Sequence, residues 1–142
     1  MAPKVSTGSA TWKGNLFDGS GTARMESTGL GSFDMTWKGR TEEGERTTNP
    51  EELIGTAHAA CFSMAFSNML DKNGTPPTQL DTRADVSFVG GEGITGIHLT
   101  VRGKVPDIGE EDFQLIAEEA KDGCPVSQAL TGTTITLTAE LA

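Results

Sequence analysis

The sequence predicts an α+β fold in which mostly antiparallel sheets pack on a buried central helix. Two observations lead to this prediction. The periodic segments follow one another in the order βββ-α-ββ-α-β. The longest helical segment is apolar on nearly all sides, which is typical of a buried helix. A chain of 142 residues has the usual size of one domain, so we expect residues 1–142 to form a single domain.

Short β-prone segments bounded by glycines make up the N-terminal third of the chain. We predict strands at Ala10–Trp12, Thr22–Ser27 and Phe33–Lys38. The polar and charged segment 41–48 follows them, and we predict a loop there.

The central helix is predicted to begin at Pro50 and to run to about Leu70. Asn49 is a suitable N-cap, Pro50 suits the first helical position, and Glu51 and Glu52 suit the first turn. Because apolar residues occupy more than one side, we expect the helix to be buried all round. One stripe comprises Leu53, Ala57, Ala60, Cys61, Met64 and Asn68, and another comprises Ile54, Ala65 and Met69.

The second half alternates strands and helices. In order, we predict strands at Ala84–Val89 and Ile94–Val105, a helix at Glu110–Asp122 with Gly123 as its C-cap, and a last strand at Thr133–Leu141. In the second of these strands we expect His98 to face solvent or a sheet neighbour, opposite the apolar face. Pro125 suits the start of a short helix reaching Leu130, with Cys124 as its N-cap.

Charge and hydropathy narrow the possible partners. The formal net charge is -9, which argues against binding to a phosphate backbone, so we predict no nucleic-acid partner. No charged-then-apolar leader is evident at Met1 and no apolar run of roughly 18 residues, so we predict no membrane partner and a cytoplasmic location. Stable structural disulfides are rare in that compartment.

The two cysteines are therefore the candidate reactive groups. Cys61 could be a small core residue, but the alanines around it and the second cysteine favour redox chemistry. Cys124, as a helix N-cap, would have a stabilised thiolate. The chain has no Cys-x-x-Cys motif, and His58 and His98 are its two histidines. We therefore predict neither a metal site nor a cofactor.

Two segments carry a resemblance to a known family. The segment 49–64, NPEELIGTAHAACFSM, and the segment 123–127, GCPVS, resemble the OsmC branch of the OsmC/Ohr family of thiol-dependent organic hydroperoxide reductases. Their spacing and the flanking strands also match, so the resemblance covers essentially the whole chain. It implies an intertwined homodimer, with Cys61 as the peroxidatic cysteine and Cys124 as the resolving one.

The resemblance also implies an arginine and a glutamate near the reactive thiol. The glutamate follows Asn-Pro and corresponds to Glu51. In the OsmC branch the arginine precedes Asn-Pro, which favours Arg40, with Arg46 as a nearby alternative. In the Ohr branch the arginine lies in the first hairpin. Arg24 is in that region, but Thr22 aligns with the equivalent site.

Glu51 and Cys61 are ten residues apart on one helix, which is roughly 15 Å along its axis. We therefore expect the Arg40–Glu51 pair to serve the cysteine of a second subunit. The predicted substrate is an organic hydroperoxide, and the reductant is a dithiol such as a lipoyl-bearing protein. Two alternatives are a non-catalytic redox-sensing or binding protein on the same fold and a domain with a structural disulfide.

Overall fold

The computed structural model describes residues 2–142 and confirms the α+β class. The elements in chain order are β1 (Gly8–Lys13), β2 (Ser20–Met25), β3 (Ser32–Met35), α1 (Trp37–Thr41), α2 (Pro50–Lys72), β4 (Gln79–Val89), β5 (Gly93–Lys104), α3 (Glu110–Gly123), α4 (Pro125–Ala129) and β6 (Ile135–Leu141). They group into two compact units, here called the first unit, which ends at Pro50, and the second unit, Glu51–Ala142.

The first unit contains an antiparallel sheet in the order β1-β2-β3. All six residues of β1 are exposed. The indole N–H of Trp12 donates to the carbonyls of Gly14 at 3.1 Å and Asn15 at 3.2 Å. A Cβ at Gly21 would lie 2.6 Å from the Trp12 ring, so the glycine lets the indole lie flat against the next strand.

The short helix α1 replaces part of a predicted strand and loop. We expected strand as far as Lys38, but β3 ends at Met35 and α1 begins at Trp37. The reason lies in Thr36, the N-cap, whose hydroxyl accepts a hydrogen bond from the Gly39 N–H at 3.0 Å. Such a local side-chain bond competes with strand pairing.

The helix α2 begins at Pro50, as predicted, and ends at Lys72. Its burial differs from the prediction, because the buried residues form a single face, comprising Glu51, Gly55, His58, Phe62, Phe66 and Leu70. The stripe expected to be buried contains exposed residues, among them Ala57, Ala60 and Met64, the last 74% exposed. The sheet of this chain can cover only one side of α2. The apolar composition of the helix did not show whether anything covers its other side.

By length and composition alone, α2 is also apolar enough to cross a membrane, a property it shares with many core helices of globular proteins. This is weak evidence, but it qualifies our expectation that the chain has no such segment. The absence of a membrane partner stays a prediction.

The second unit contains the sheet β4-β5-β6. Strand β4 pairs antiparallel with β5 and begins at Gln79, five residues before the predicted start at Ala84. Strand β6 pairs parallel with β5, with Leu99 opposite Leu137. A parallel neighbour requires a crossover connection, which α3 and α4 supply.

The core of the second unit lies between this sheet and the buried face of α2. The predicted inward face of β5 is confirmed, since Ile97, Leu99, Val101 and Gly103 are all buried. The rings of Phe66 and Phe113 lie 5.3 Å apart and join α2 to α3. A Cβ at Gly55 would lie 2.8 Å from the Ala84 carbonyl oxygen, so α2 lies directly on β4. This packing fixes the position of the helix that carries Cys61.

One residue, Cys124, joins α3 to α4. We predicted Gly123 as the C-cap of α3, but Gly123 is the last helical residue, and Cys124 is the C-cap, its N–H donating to the Ala120 carbonyl at 2.9 Å. Cys124 is also the N-cap of α4, as predicted, although its side chain makes no capping hydrogen bond.

Candidate functional site

The two thiols meet in the second unit. Cys61 lies near the middle of α2 and is half-buried, and Cys124 lies between α3 and α4 and is fully buried. Both thiols are free, and a side-chain hydrogen bond joins them. They are held by the same core, because the buried faces of α2 and α3 pack on one sheet.

The environment of Cys61 does not favour its thiolate. Burial raises the pKa of the Cys61 thiol, and the hydrogen bond to Cys124 raises this pKa further. A hydrogen bond with the backbone of Val126 acts in the opposite direction. Because the thiolate is the nucleophilic form of cysteine, Cys61 needs an additional positive group to react quickly at neutral pH.

A buried polar pair lies beside the thiols. His58 is fully buried, one turn before Cys61, and its Nε2 lies 2.7 Å from the Oγ of Ser127 on α4. Ser127 is also buried. Burial lowers the pKa of His58, so its imidazole is neutral at pH 7. The sequence left the role of His58 open and gave no indication of Ser127. The only signal in the sequence for this pair was its spacing from the cysteines, since His58 lies three residues before Cys61 and Ser127 lies three residues after Cys124.

Arg40 lies in the first unit, on α1. It is half-buried and borders an apolar cavity of about 440 Å³, whose lining includes Trp12, Leu16, Met35, Trp37, Arg40 and Pro50. The preceding residue, Gly39, accepts a hydrogen bond from the Asn49 side chain at 3.1 Å. A Cβ at position 39 would collide with the Thr47 hydroxyl, so the close packing of α1 beside Arg40 requires glycine.

The two alternative arginines have different surroundings. Arg24 is exposed on β2 and pairs with Glu26, its Nε 3.3 Å from the carboxylate. Arg46 is exposed in the segment that follows α1. Neither of them borders the apolar cavity next to Arg40.

Glu51 is the second residue of α2 and is buried. A carboxylate suits this position, because the first turn of a helix carries partial positive charge. Glu51 belongs to the second unit and Arg40 to the first, so their pairing stays a prediction.

Residues 2–142 contain no group of three or more histidine, cysteine, aspartate or glutamate side chains that could hold a metal ion. His98 lies on the face of the sheet opposite the core, where its ring nitrogens are 2.6 Å from the Thr136 hydroxyl and 3.0 Å from the Thr138 hydroxyl. His98 therefore does not lie on the face of the sheet that packs against α2.

Comparison with known proteins places this site in a family. The model of the family described as "OsmC-like protein" matches residues 42–140. The chain belongs to the OsmC-like family. The matched region includes Glu51, Cys61 and Cys124 but begins just after Arg40. The family match therefore covers three of the four predicted site residues.

Individual relatives agree with this membership. The chain is 49% identical to Escherichia coli "Peroxiredoxin OsmC" over 126 residues, which is 87% of each protein. It is 27% identical to Bacillus subtilis "Organic hydroperoxide resistance protein OhrB" over 105 residues, covering 73% of this chain and 77% of the relative. A solved OsmC-like structure from Mycoplasma pneumoniae superposes with a TM-score of 0.74 over 99% of both chains, at 17% identity, and so supports the fold alone.

Proposed function

We propose that this OsmC-like protein is a thiol-dependent peroxidase that reduces organic hydroperoxides to alcohols. The observation that carries the proposal is the contact between the free thiols of Cys61 and Cys124 in a shared core. The names of the relatives, a peroxiredoxin from E. coli and an organic hydroperoxide resistance protein from B. subtilis, support it.

In the proposed cycle the Cys61 thiolate attacks the terminal oxygen of the hydroperoxide. The O–O bond breaks, the alkoxide takes a proton and leaves as an alcohol, and Cys61 becomes a sulfenic acid. Cys124 then attacks the Cys61 sulfur and displaces water, forming a Cys61–Cys124 disulfide. An external dithiol, such as a lipoyl group, reduces this disulfide by thiol–disulfide exchange. Cys61 has the first role because it is the less buried of the two sulfurs.

Arg40 is the proposed activating group. The pKa of Cys61 is raised by its own surroundings, so catalysis near neutral pH needs a cation that favours the thiolate. A guanidinium does not titrate in this range, and a carboxylate such as Glu51 can hold it in a fixed orientation. The apolar cavity beside Arg40 would accept the alkyl part of the peroxide.

A homodimer is part of the proposal. Glu51 and Cys61 are ten residues, roughly 15 Å, apart along α2, so Arg40 and Glu51 would serve the partner subunit's Cys61. The exposed stripe of α2, with Ala57, Ala60 and Met64, supports such an assembly because small residues allow a second helix to approach closely. A reducing compartment such as the cytoplasm would keep both thiols available between turnovers.

A redox sensor is the second candidate function. The raised pKa of Cys61 favours it, because a slowly reacting thiol suits a switch better than a fast enzyme. In that case Cys61 and Cys124 would oxidise once, and the altered protein would act through a protein partner.

Turnover distinguishes the two functions. The purified protein is given an alkyl hydroperoxide with dihydrolipoamide, and peroxide consumption is followed for wild type, Cys61→Ser and Cys124→Ser. We expect multiple turnovers in wild type and a loss of at least about a thousandfold in Cys61→Ser, because the nucleophile is gone. Cys124→Ser should turn over more slowly than wild type, because the external dithiol must then react with the Cys61 sulfenic acid directly. Equal, slow consumption by wild type and Cys61→Ser would exclude the peroxidase.

A further inference from the structure

The hydrogen bond between His58 and Ser127 connects the two segments that carry the reactive sulfurs. His58 lies one turn before Cys61 on α2, and side chains three residues apart share a face of a helix. Ser127 lies on α4, three residues after Cys124. The Nε2–Oγ distance is 2.7 Å, and both side chains are buried. This buried bond therefore joins the turn of α2 that precedes Cys61 to the short helix α4 that follows Cys124.

We propose that this bond holds Cys124 in register with Cys61 and so sets the rate at which oxidised Cys61 is resolved. The inference rests on the proposed peroxidase function and assigns His58 and Ser127 as positioning residues. Resolution joins the Cys61 sulfenic acid and the Cys124 thiol, forms the S–S bond and releases water. That bond needs the sulfurs near 2.05 Å with a restricted dihedral angle, so small displacements of either segment matter.

The other restraints on Cys124 do not reach α2 through the backbone. Its N–H donates to the Ala120 carbonyl of α3 at 2.9 Å, and its carbonyl accepts from the Gln128 N–H of α4 at 3.0 Å. These bonds attach Cys124 to the ends of two helices. Helix α4 is attached to α2 by side-chain packing, by the hydrogen bond between the Cys61 thiol and the Val126 backbone, and by the bond that Ser127 makes with His58. Of these two hydrogen bonds, the one between His58 and Ser127 does not use a reacting sulfur, so it persists when Cys61 is oxidised.

The chemistry of His58 fits positioning better than proton transfer. Burial lowers its pKa, so the ring is uncharged at neutral pH and cannot act as the cation that Cys61 needs. Its Nε2 is occupied by Ser127, and within residues 2–142 its buried Nδ1 has no hydrogen-bond partner. An unsatisfied buried nitrogen costs stability, and an apolar side chain there would avoid that cost. A histidine at this position is explained if the hydrogen bond between its Nε2 and Ser127 is needed to position Cys124.

Ser127→Ala tests the proposal, with Ser63→Ala as the matched control. Ser63 lies on α2, and its hydroxyl donates a hydrogen bond to the Thr82 hydroxyl on β4 at 2.7 Å. The control therefore removes a serine hydrogen bond that joins α2 to β4 and not to α4. Two rates are measured in single-turnover experiments: formation of the sulfenic acid, by trapping with dimedone, and its conversion to the disulfide. We expect Ser127→Ala to slow the second step by about tenfold, the order set by one lost hydrogen bond, with the first step within about twofold of wild type.

A merely structural role predicts a different pattern. In that case Ser127→Ala and Ser63→Ala would lower the melting temperature to a similar extent and leave the ratio of the two rates unchanged, and the proposal would be wrong. Ser127→Thr keeps the hydroxyl and should restore the resolution rate. If it did not, while the variant remained folded, the hydrogen bond would not be the cause.

Oxidation with diamide separates this inference from the peroxidase proposal. Diamide adds to one thiol and leaves as a hydrazine when the second thiol attacks, so disulfide closure is measured without a peroxide. Slower closure in Ser127→Ala than in Ser63→Ala supports the inference even if wild type fails to consume hydroperoxides. Equal closure in the two variants overturns it, whatever the result with peroxide.

Discussion

The two compact units differ in how they are stabilised. In the second unit the apolar side chains of α2, α3 and the sheet form one buried core around both thiols. In the first unit the only buried apolar side chain among residues 2–50 is Ala23, and large apolar residues such as Phe17 and Leu30 are exposed. A three-stranded sheet with so little burial is marginal by itself. The comparison shows that the thiols lie in the unit with an apolar core, whereas Arg40 lies in a unit with little buried apolar surface of its own.

The largest expected effect tests this difference directly. Phe66 is fully buried and Phe33, on β3, is 42% exposed. Phe66→Ala should lower the free energy of unfolding by about 3–5 kcal/mol, because it leaves a cavity in the core. Phe33→Ala should cost about 1 kcal/mol or less. Urea unfolding measures both. Equal losses of unfolding free energy in the two variants would contradict the difference between the units. They would mean that the sheet of the first unit is covered in solution.

Arg40→Met removes the proposed activating cation, and Arg46→Met, in the exposed segment of the same unit, is its control. We expect Arg40→Met to raise the pKa of Cys61 and lower kcat/KM at pH 7 by about ten- to hundredfold, since a nearby cation shifts a pKa by about 1–3 units. The pH dependence of Cys61 alkylation by iodoacetamide measures the pKa. A similar loss in Arg46→Met would make Arg46 the activating residue.

Mixing an impaired variant with an inactive one tests whether Arg40 acts across subunits. Arg40→Met and Cys61→Ser proteins are combined in equal amounts and allowed to exchange subunits. If Arg40 serves the partner subunit's Cys61, each mixed dimer has one intact site, and activity should recover to about a quarter of wild type. Activity that stays at the level of the separate variants, with exchange verified, would place Arg40 and Cys61 of one site on the same chain.

The smallest effect concerns the pH dependence of stability. The pKa of His58 is lowered in the folded protein, while an unfolded histidine titrates near about 6.5. As the pH falls below about 6.5, the unfolded chain binds a proton that the folded protein does not, so the free energy of unfolding decreases, by at most about 1.4 kcal/mol per pH unit. Above that pH the contribution of His58 is constant.

His58→Gln should flatten this acid slope, measured by urea unfolding between pH 7.5 and pH 5. His98→Gln, on the outer face of the sheet, is the control. An unchanged slope in His58→Gln would show that other groups dominate acid destabilisation.

Strong local signals made much of the fold predictable. Asn49 and Pro50 marked the start of α2, and strict alternation marked the buried face of β5. The helix α1 was missed because it has five residues and depends on one threonine cap. The parallel pairing of β6 was missed because periodicity shows which residues face inwards and not which strand lies alongside.

For the site, the structure locates the predicted residues, and their roles stay predictions. The resemblance to the family identified both cysteines, and their contact is consistent with the roles it implied. The exposed stripe of α2 was misjudged because composition shows that residues are apolar but not what covers them. Ser127 was missed because a serine in a five-residue helix has no distinguishing pattern, and its significance depends on a tertiary contact with His58.

The joint at Cys124 has a consequence for how this chain can change in length. Connections between helices ordinarily tolerate insertions and deletions. Here α3 ends at Gly123 and α4 begins at Pro125, so the connection is Cys124 itself, the proposed resolving residue. Adding one residue to a helix rotates everything beyond it by roughly 100°. The length of this connection is thus fixed, although connections between helices normally vary. A design that transfers the two thiols to another scaffold would have to include the end of α3 and the start of α4.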